Sequence, residues 1–364
     1  MRILQISSSR TYGGGERHFV DLCRGLSDAG HDVYAAVRPT NVWEAKLDFL
    51  PPGRRFHISI RNSIGILSAS RLAAFARENE IDIIHAHVAR DYIPASIACA
   101  LTRGRTKFVL TRHVMFPLKA FNRLALKNLS KAIAVSSGVE TTLYSVFPKH
   151  KVVLINNGID AHTLNGEERA RARQEFRGLH GIPLDVPLIG TIGELIPLKG
   201  QSDLVLAAHE VAKQFPEARF AIIGRDNTID QRHRRELKRM VKVFALEDRF
   251  LWLDWVEDTT ELLAALDIFV SASHTESFGM AMLEALAAAT PVIATDTDGA
   301  RELIEDASCR VPVNAPVALA KKIAEFIANP DDHRRRAEEH SRDVRLRFSL
   351  DRMVKETEQL YKDL

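Results

Sequence analysis

The sequence predicts an α/β protein built from two doubly wound halves, and three observations carry that reading. Short β-branched runs alternate with amphipathic stretches along most of the chain, the pattern of parallel sheets covered by helices. The length of 364 residues exceeds one typical hydrophobic core and suits two. The alternation breaks once, over a polar run at 161–182, and then starts again.

In the first half, strands are expected at 3–7, 32–36, 81–85, 107–111, 132–135 and 152–155. Between the first two, a helix over 16–29 places Phe19, Val20, Cys23 and Leu26 on one face and stops at Gly30. The run Asn165-Gly-Glu-Glu-Arg-Ala-Arg-Ala-Arg173 reads as a linker over 164–185, with a helical turn or more inside it. The pattern restarts at Pro187-Leu-Ile-Gly190, with strands near 220–223, 250–253, 268–270 and 292–294, and the tail after 346 reads as helix. The expected organisation is a Rossmann-like domain over 1–163, the linker, a second such domain over 186–346, and a last helix over 347–364.

Composition narrows the function classes. With 46% hydrophobic and 27% charged residues, the chain is an ordinary globular protein. A net charge of +3 is too small to imply nucleic acid, and the basic stretch 229–239 lacks the interleaved aromatics of a nucleic-acid groove, so it reads as a solvated helix face. Three scattered cysteines, Cys23, Cys99 and Cys309, give neither a disulfide framework nor zinc spacing. The opening Met-Arg-Ile-Leu-Gln-Ile enters a strand at once, leaving no room for a signal peptide, and no apolar run of about 18 residues occurs. A cytoplasmic protein is expected.

The most informative spacing is Glu276-Ser-Phe-Gly-Met-Ala-Met-Leu-Glu284 before an alanine-rich run and the strand Pro291-Val-Ile-Ala. A helix entered through Phe278, Gly279 and Met280 offers free N–H groups and a positive dipole end to a phosphate. A carboxylate on either side of that seat can accept hydrogen bonds from hydroxyls, as on a sugar and a ribose. Gly13-Gly14-Gly15 after the first strand lets backbone approach a ligand closely, but lacks the GxGxxG spacing of a dinucleotide site, which disfavours NAD. His85, His87 and His113 end successive strands, where open α/β sheets bind ligands. Alternation sends His85 and His87 to the same side; no third ligand accompanies them at metal-site spacing, and buried structural histidines are the commoner outcome. Lys199, beside Gly200 in the loop after the second half's first strand, is placed to neutralise a diphosphate. Asp296-Thr-Asp298 resembles a metal-binding DxD but reads as a loop after a strand. From Tyr92 to Val139 there is no acidic residue among eight basic ones, and Lys119, Arg123, Lys127 and Lys131 recur every four residues as one expected helical ridge. That favours an anionic partner, a lipid surface or an anionic acceptor.

In order, the glycine loop, His113, the turn Asn157-Gly-Ile-Asp160, the Lys199 loop and the segment 271–294 resemble family-4 retaining glycosyltransferases of the GT-B fold, with Glu276 and Glu284 as the EX7E pair. The resemblance spans nearly the whole chain. It implies two Rossmann-like domains facing across a cleft, and a last helix that crosses back to the first domain. It implies a nucleotide-diphosphate sugar donor, UDP- or GDP-linked, and an acceptor sugar, glycolipid or lipopolysaccharide. No cofactor, metal or nucleic acid is expected. Glu276 is expected at the sugar hydroxyls, Glu284 at the ribose, Lys199 with the N–H groups of Phe278, Gly279 and Met280 at the diphosphate, Gly14 and Gly15 facing the donor, and His113 near the transferred sugar. Glu194 stands where the family usually has arginine; Arg225, after the neighbouring strand, is the expected substitute. A sugar-nucleotide epimerase on the same fold and a non-catalytic nucleotide-sugar-binding subunit are the alternatives. The basic ridge implies peripheral attachment to the inner face of the cell membrane.

Overall fold

The computed structural model describes residues 1–60, 65–160 and 164–364. The chain divides into two units, Met1–Asp160 with Phe348–Leu364, and Ala161–Arg347. In the first, β1 (Arg2–Ser7), β2 (Asp32–Val37), β3 (Arg55–His57), β4 (Ile83–Ala86), β5 (Lys107–Arg112), β6 (Leu129–Ala134) and β7 (Val152–Leu154) form a sheet in the order β3-β2-β1-β4-β5-β6-β7. In the second, β8 (Leu188–Ile192), β9 (Arg219–Ile223), β10 (Phe250–Leu253), β11 (Ile268–Ser271), β12 (Val292–Thr295) and β13 (Arg310–Val311) run β10-β9-β8-β11-β12-β13. Every strand pairing is parallel.

Parallel strands covered on both faces must be apolar on both, which is why these read as β-branched runs rather than alternating ones. Ile3, Val33, Val109 and Ile133 pack with Phe19, Leu22 and Leu26 in one core. Ile189, Phe220, Val270 and Ile293 pack with Leu204, Val211 and Ile323 in the other. Each sheet reverses its strand order beside its own first strand, at β1 between β2 and β4 and at β8 between β9 and β11. That reversal, at the carboxyl ends, is where open α/β sheets take ligands.

Several elements depart from the sequence reading. The first helix, Gly14–Asp28, begins two residues earlier than expected because Glu16 Oε2 accepts a hydrogen bond from the N–H of Gly13 at 3.0 Å. Strand β4 starts later than expected: the Ile81 N–H still closes the preceding helix on the Ala76 carbonyl. The edge strands β3 and β13 are three and two residues long, too short to leave a pattern.

The run read as linker contains a helix, Gly166–Leu179. Asn165 caps it, accepting from the N–H groups of Glu167 and Glu168 at 3.0 Å each, and Glu168 returns the bond to the Asn165 N–H. Its buried face carries Arg177, which donates to the carbonyls of Pro183, Val186 and Ala265 and to Asp267 Oδ2 at 2.6 Å. An inward-facing arginine conceals the helix's buried side from a hydrophobicity pattern.

The basic ridge is not a ridge. Helix covers only Asn122–Ala125; Lys119 precedes it, Lys127 follows it, and Lys131 lies in β6 with Nζ donating to the His150 carbonyl. The β-pairing of Leu129–Ala134 with both β5 and β7 overrides the four-residue repeat.

The basic helix Arg232–Val243 turns Leu237 and Val241 inward, and its arginines pair with Glu236, Asp230 and Asp254. The last helix, Leu350–Lys362, packs on the first within its unit, so closely that a Cβ on Gly25 would stand 2.4 Å from Val354 Cγ2. Among the described residues, no helix is long and apolar enough to cross a membrane.

Candidate active site

In the second unit the reversal places the loop after β8 beside the loop after β11. Gly200 (φ +64°) makes this possible, since a Cβ there would lie 1.9 Å from the Ala272 carbonyl oxygen. Lys199, just before it, donates from Nζ to Glu276 Oε2 at 2.6 Å, and Ser273 Oγ lies 3.4 Å from the same oxygen. The Lys199 side chain stays 31% exposed and that of Glu276 14%, so the pair is open to a ligand on one side. The next residues close onto the helix Met280–Ala287, whose N-cap, Gly279, has φ +96°. The first N–H to find a helical acceptor is that of Leu283, on the Gly279 carbonyl, which leaves the N–H groups of the first turn aimed outward. Phe278 buries its ring and anchors the turn. Glu284, farther along the helix, accepts from Thr259 Oγ1 at 3.2 Å. The spacing of the two glutamates is thus realised as one carboxylate before the helix N-terminus and one inside it, with a lysine at the first.

Arg225 lies exposed after β9, and its carbonyl accepts from the Leu195 N–H at 2.8 Å, which brings it beside Glu194. Glu194 Oε1 itself accepts from Asn227 Nδ2 at 2.8 Å. Asp296 of the DxD-like triplet accepts from Arg301, and Asp298 opens the helix Asp298–Leu303; these carboxylates belong to a loop and a helix start. His274, within the segment 271–294, had no role in the sequence reading. Its Nε2 lies 2.9 Å from Asp203 Oδ2, and its N–H donates to the Leu198 carbonyl, bracing the Lys199 loop.

In the first unit, His85 and His87 end β4 and His113 follows β5. His113 packs its ring against Gly15, where a Cβ would come within 3.6 Å of it. His113 Nε2 lies 3.4 Å from His87 Nδ1, and His87 Nε2 lies 2.7 Å from Gln5 Oε1. Gln5 donates to Tyr361 Oη at 3.2 Å, which lies 2.6 Å from His85 Nδ1, and His85 Nε2 lies 2.7 Å from Thr111 Oγ1. His85 is therefore held as structure. The sequence reading missed His18, on the first helix, whose ring centroid lies 4.7 Å from that of His113 and 5.5 Å from that of His87. A lone histidine on an otherwise core-facing helix was its only trace. Burial keeps all four imidazoles neutral: it lowers His18 to about 4 against an opposing hydrogen bond with Asn157, and it holds His85, His87 and His113 well below the usual histidine range, where repulsion from neighbouring histidines adds to the effect. Asp91, buried and accepting from the Ser8 N–H at 2.8 Å, is pushed by burial up to about 6.

Comparison with known proteins gives the family and the fold. Residues 12–163 match the model described as Glycosyltransferase Family 4, and residues 172–344 the model described as Glycosyl transferases group 1. The chain is 25% identical to N-acetyl-alpha-D-glucosaminyl L-malate synthase of Bacillus anthracis, over 97% of this chain and 94% of that protein. It is 24% identical to a lipopolysaccharide core biosynthesis glycosyltransferase of Rhizobium meliloti, over 90% and 89% of the two chains. Among solved structures, Anabaena HepE, crystallised with UDP and glucose, superposes with a TM-score of 0.87 at 22% identity over 100% of both chains. Sucrose-phosphate synthase from Thermosynechococcus elongatus superposes with a TM-score of 0.80 at 21% identity over 100% of this chain and 98% of that one. With two matched models that together span most of its length and a fold shared with these enzymes, the chain belongs to the family-4 glycosyltransferases, retaining enzymes of the GT-B fold.

Proposed function

We propose that the second unit binds a UDP- or GDP-linked sugar with its diphosphate at the N-terminus of the helix Met280–Ala287, and that the sugar passes to a hydroxyl of an anionic glycolipid or lipopolysaccharide-type acceptor. The observation that carries this reading is the Lys199–Glu276 pair at the mouth of that helix. When donor enters, the lysine turns to the diphosphate and frees the carboxylate for the sugar hydroxyls. The N–H groups of Phe278, Gly279 and Met280 take phosphate oxygens, and Glu284 takes the ribose. Arg225 is assigned to the charge that Glu194 does not supply. By the family resemblance, Gly14 and Gly15 are assigned to the donor and His113 to the transferred sugar. The acceptor oxygen bonds to the anomeric carbon as the bond from that carbon to the leaving phosphate breaks, and a phosphate oxygen takes the hydroxyl proton. Lysine and helix dipole supply the positive field for the leaving group.

Two features support an anionic acceptor at a membrane surface, on the cytoplasmic side. Lys119, Arg123 and Lys127 are exposed in the acid-free stretch beside the exposed side chains of Phe116, Phe121 and Leu124, the mixed apolar and basic surface that interfacial proteins present to anionic lipid. A cavity of about 440 Å³ lined by Arg10, Arg38 and Thr40 lies beyond β1 and β2 in the same unit. Thermal-shift titration with UDP-, GDP-, ADP- and CMP-sugars tests the donor: one base class should stabilise by about 2.7 kcal/mol at a hundredfold excess over Kd. No shift with any of them overturns the reading. Cosedimentation with neutral and anionic liposomes tests the surface. Pelleting should require anionic lipid and fall with added salt; equal pelleting with both vesicles removes the membrane.

A further inference from the structure

We propose that His18, His87 and His113 form a three-imidazole site for a borderline-soft divalent ion of the zinc class, and that its occupancy inhibits sugar transfer. One nitrogen of each ring lies within 4.8 Å of the others. Zinc–imidazole bonds of about 2.0–2.1 Å in a tetrahedron set ligand nitrogens about 3.3 Å apart. His87 Nδ1 and His113 Nε2 already meet that separation, at 3.4 Å. Closing the rest falls to His18, which is buried and whose ring nitrogens have no hydrogen bond of normal geometry, Asn157 being the polar side chain that faces it. An imidazole shut away from water and short of hydrogen bonds has polar atoms to satisfy, and a metal on its lone pair satisfies one of them.

The surroundings suit the role. His87 has Nε2 against Gln5 Oε1 at 2.7 Å, the outer partner that fixes a metal-binding histidine, and turns Nδ1 to His113. Gln5 is held in turn by Tyr361 Oη. Nitrogen-only ligation selects zinc, copper, nickel or cobalt over magnesium and calcium. His87 and His113 end adjacent parallel strands, β4 and β5, while His18 stands one turn after Gly15 on the helix packed over them. His113 is half-buried and gives the ion a way in.

The inhibitory sense follows from the assignment of His113 to the transferred sugar, and that part rests on the proposed function. An ion on Nε2 draws the ring toward His18 and His87. The binding claim stands apart from it, because it is measured with metal and protein alone.

The test is calorimetric titration of chelator-treated, full-length protein with Zn²⁺, in parallel with Co²⁺ read by its visible absorption. One ion per chain with the intense absorption of tetrahedral Co²⁺ is expected, and Mg²⁺ should give nothing. His18→Phe should weaken Zn²⁺ binding by at least about tenfold, the size of effect already produced by losing outer-shell partners. Failure of the wild-type chain to bind Zn²⁺ saturably at one per chain overturns the proposal without any variant. Unchanged binding in a folded His18→Phe protein overturns the ligand set. Once an active donor and acceptor are in hand, Zn²⁺ should inhibit the wild type more strongly than His18→Phe; equal inhibition overturns the inhibitory role and leaves both the binding site and the transferase reading standing.

Discussion

A carboxylate and an ammonium at 2.6 Å in a half-shielded loop hold each other until a better partner arrives, and a diphosphate brings more negative charge to Lys199 than Glu276 can. The two glutamates should therefore fail differently. Glu276→Gln should leave donor affinity near wild type, since it also relieves Lys199 of a competitor, while turnover falls. Glu284→Ala should weaken donor binding by about ten- to a hundredfold, the loss of a strong hydrogen bond to a ribose hydroxyl. Isothermal titration with donor alongside steady-state kinetics separates the two effects. Wild-type transfer rates in both variants would place the chemistry elsewhere. The pattern of nine residues from Glu276 to Glu284 was readable in the chain; the lysine 77 positions away that meets the first of them was not. That pairing depends on β8 and β11 lying side by side, a consequence of strand order rather than of local sequence.

At the scale of elements, close approach does what hydrophobic pattern cannot announce. Gly25 lies in the last turn of the first helix, where alanine would ordinarily gain up to about 1 kcal/mol of helix propensity. Here the added methyl meets Val354 Cγ2 at 2.4 Å, so the overlap should win and Gly25→Ala should destabilise by about 1–3 kcal/mol. Val354→Ala in the same chain should recover part of the loss, and denaturant unfolding of the single and double variants would show it. Additive losses would mean that the two helices do not press on each other there. The same limit explains the misread segments. Gly166–Leu179 hides its inward face behind Arg177, and the four-residue basic repeat crosses from a loop through a short helix into β6. Periodicity registers apolar faces; it is silent where arginine is buried or where sheet pairing claims part of a helical repeat.

Over the whole molecule, buried ionisable groups set the response to acid. His18, His85, His87 and His113 have folded pKa values below that of a free imidazole, so the stability they contribute is present above about pH 6.5 and is lost as pH falls through the folded values. For His18, with its folded value near 4, the loss by that pH approaches about 3 kcal/mol. Asp91 has the opposite sign: its raised value favours the folded state below about pH 6, opposing one histidine but not four. Tm should therefore fall steadily from pH 7 to pH 4.5. A flat profile over that range would mean that the histidines are not buried as neutral rings.

By itself the sequence determined the two-fold α/β alternation, because strands buried on both faces must be apolar and leave no other reading. It also determined the glycine loop, the strand-end histidines and the EX7E segment, because each is a local pattern whose chemistry depends on neighbours a few residues away. Only the tertiary structure decided which distant groups meet. It brought His18 to His87 and His113, Lys199 to Glu276, Arg177 to Asp267 and Tyr361 to Gln5. Each of these contacts joins residues that lie in, beside or over the parallel strands of one sheet. Parallel strands are connected through helices, so neighbours in the sheet are far apart in the chain, and no local spacing records them.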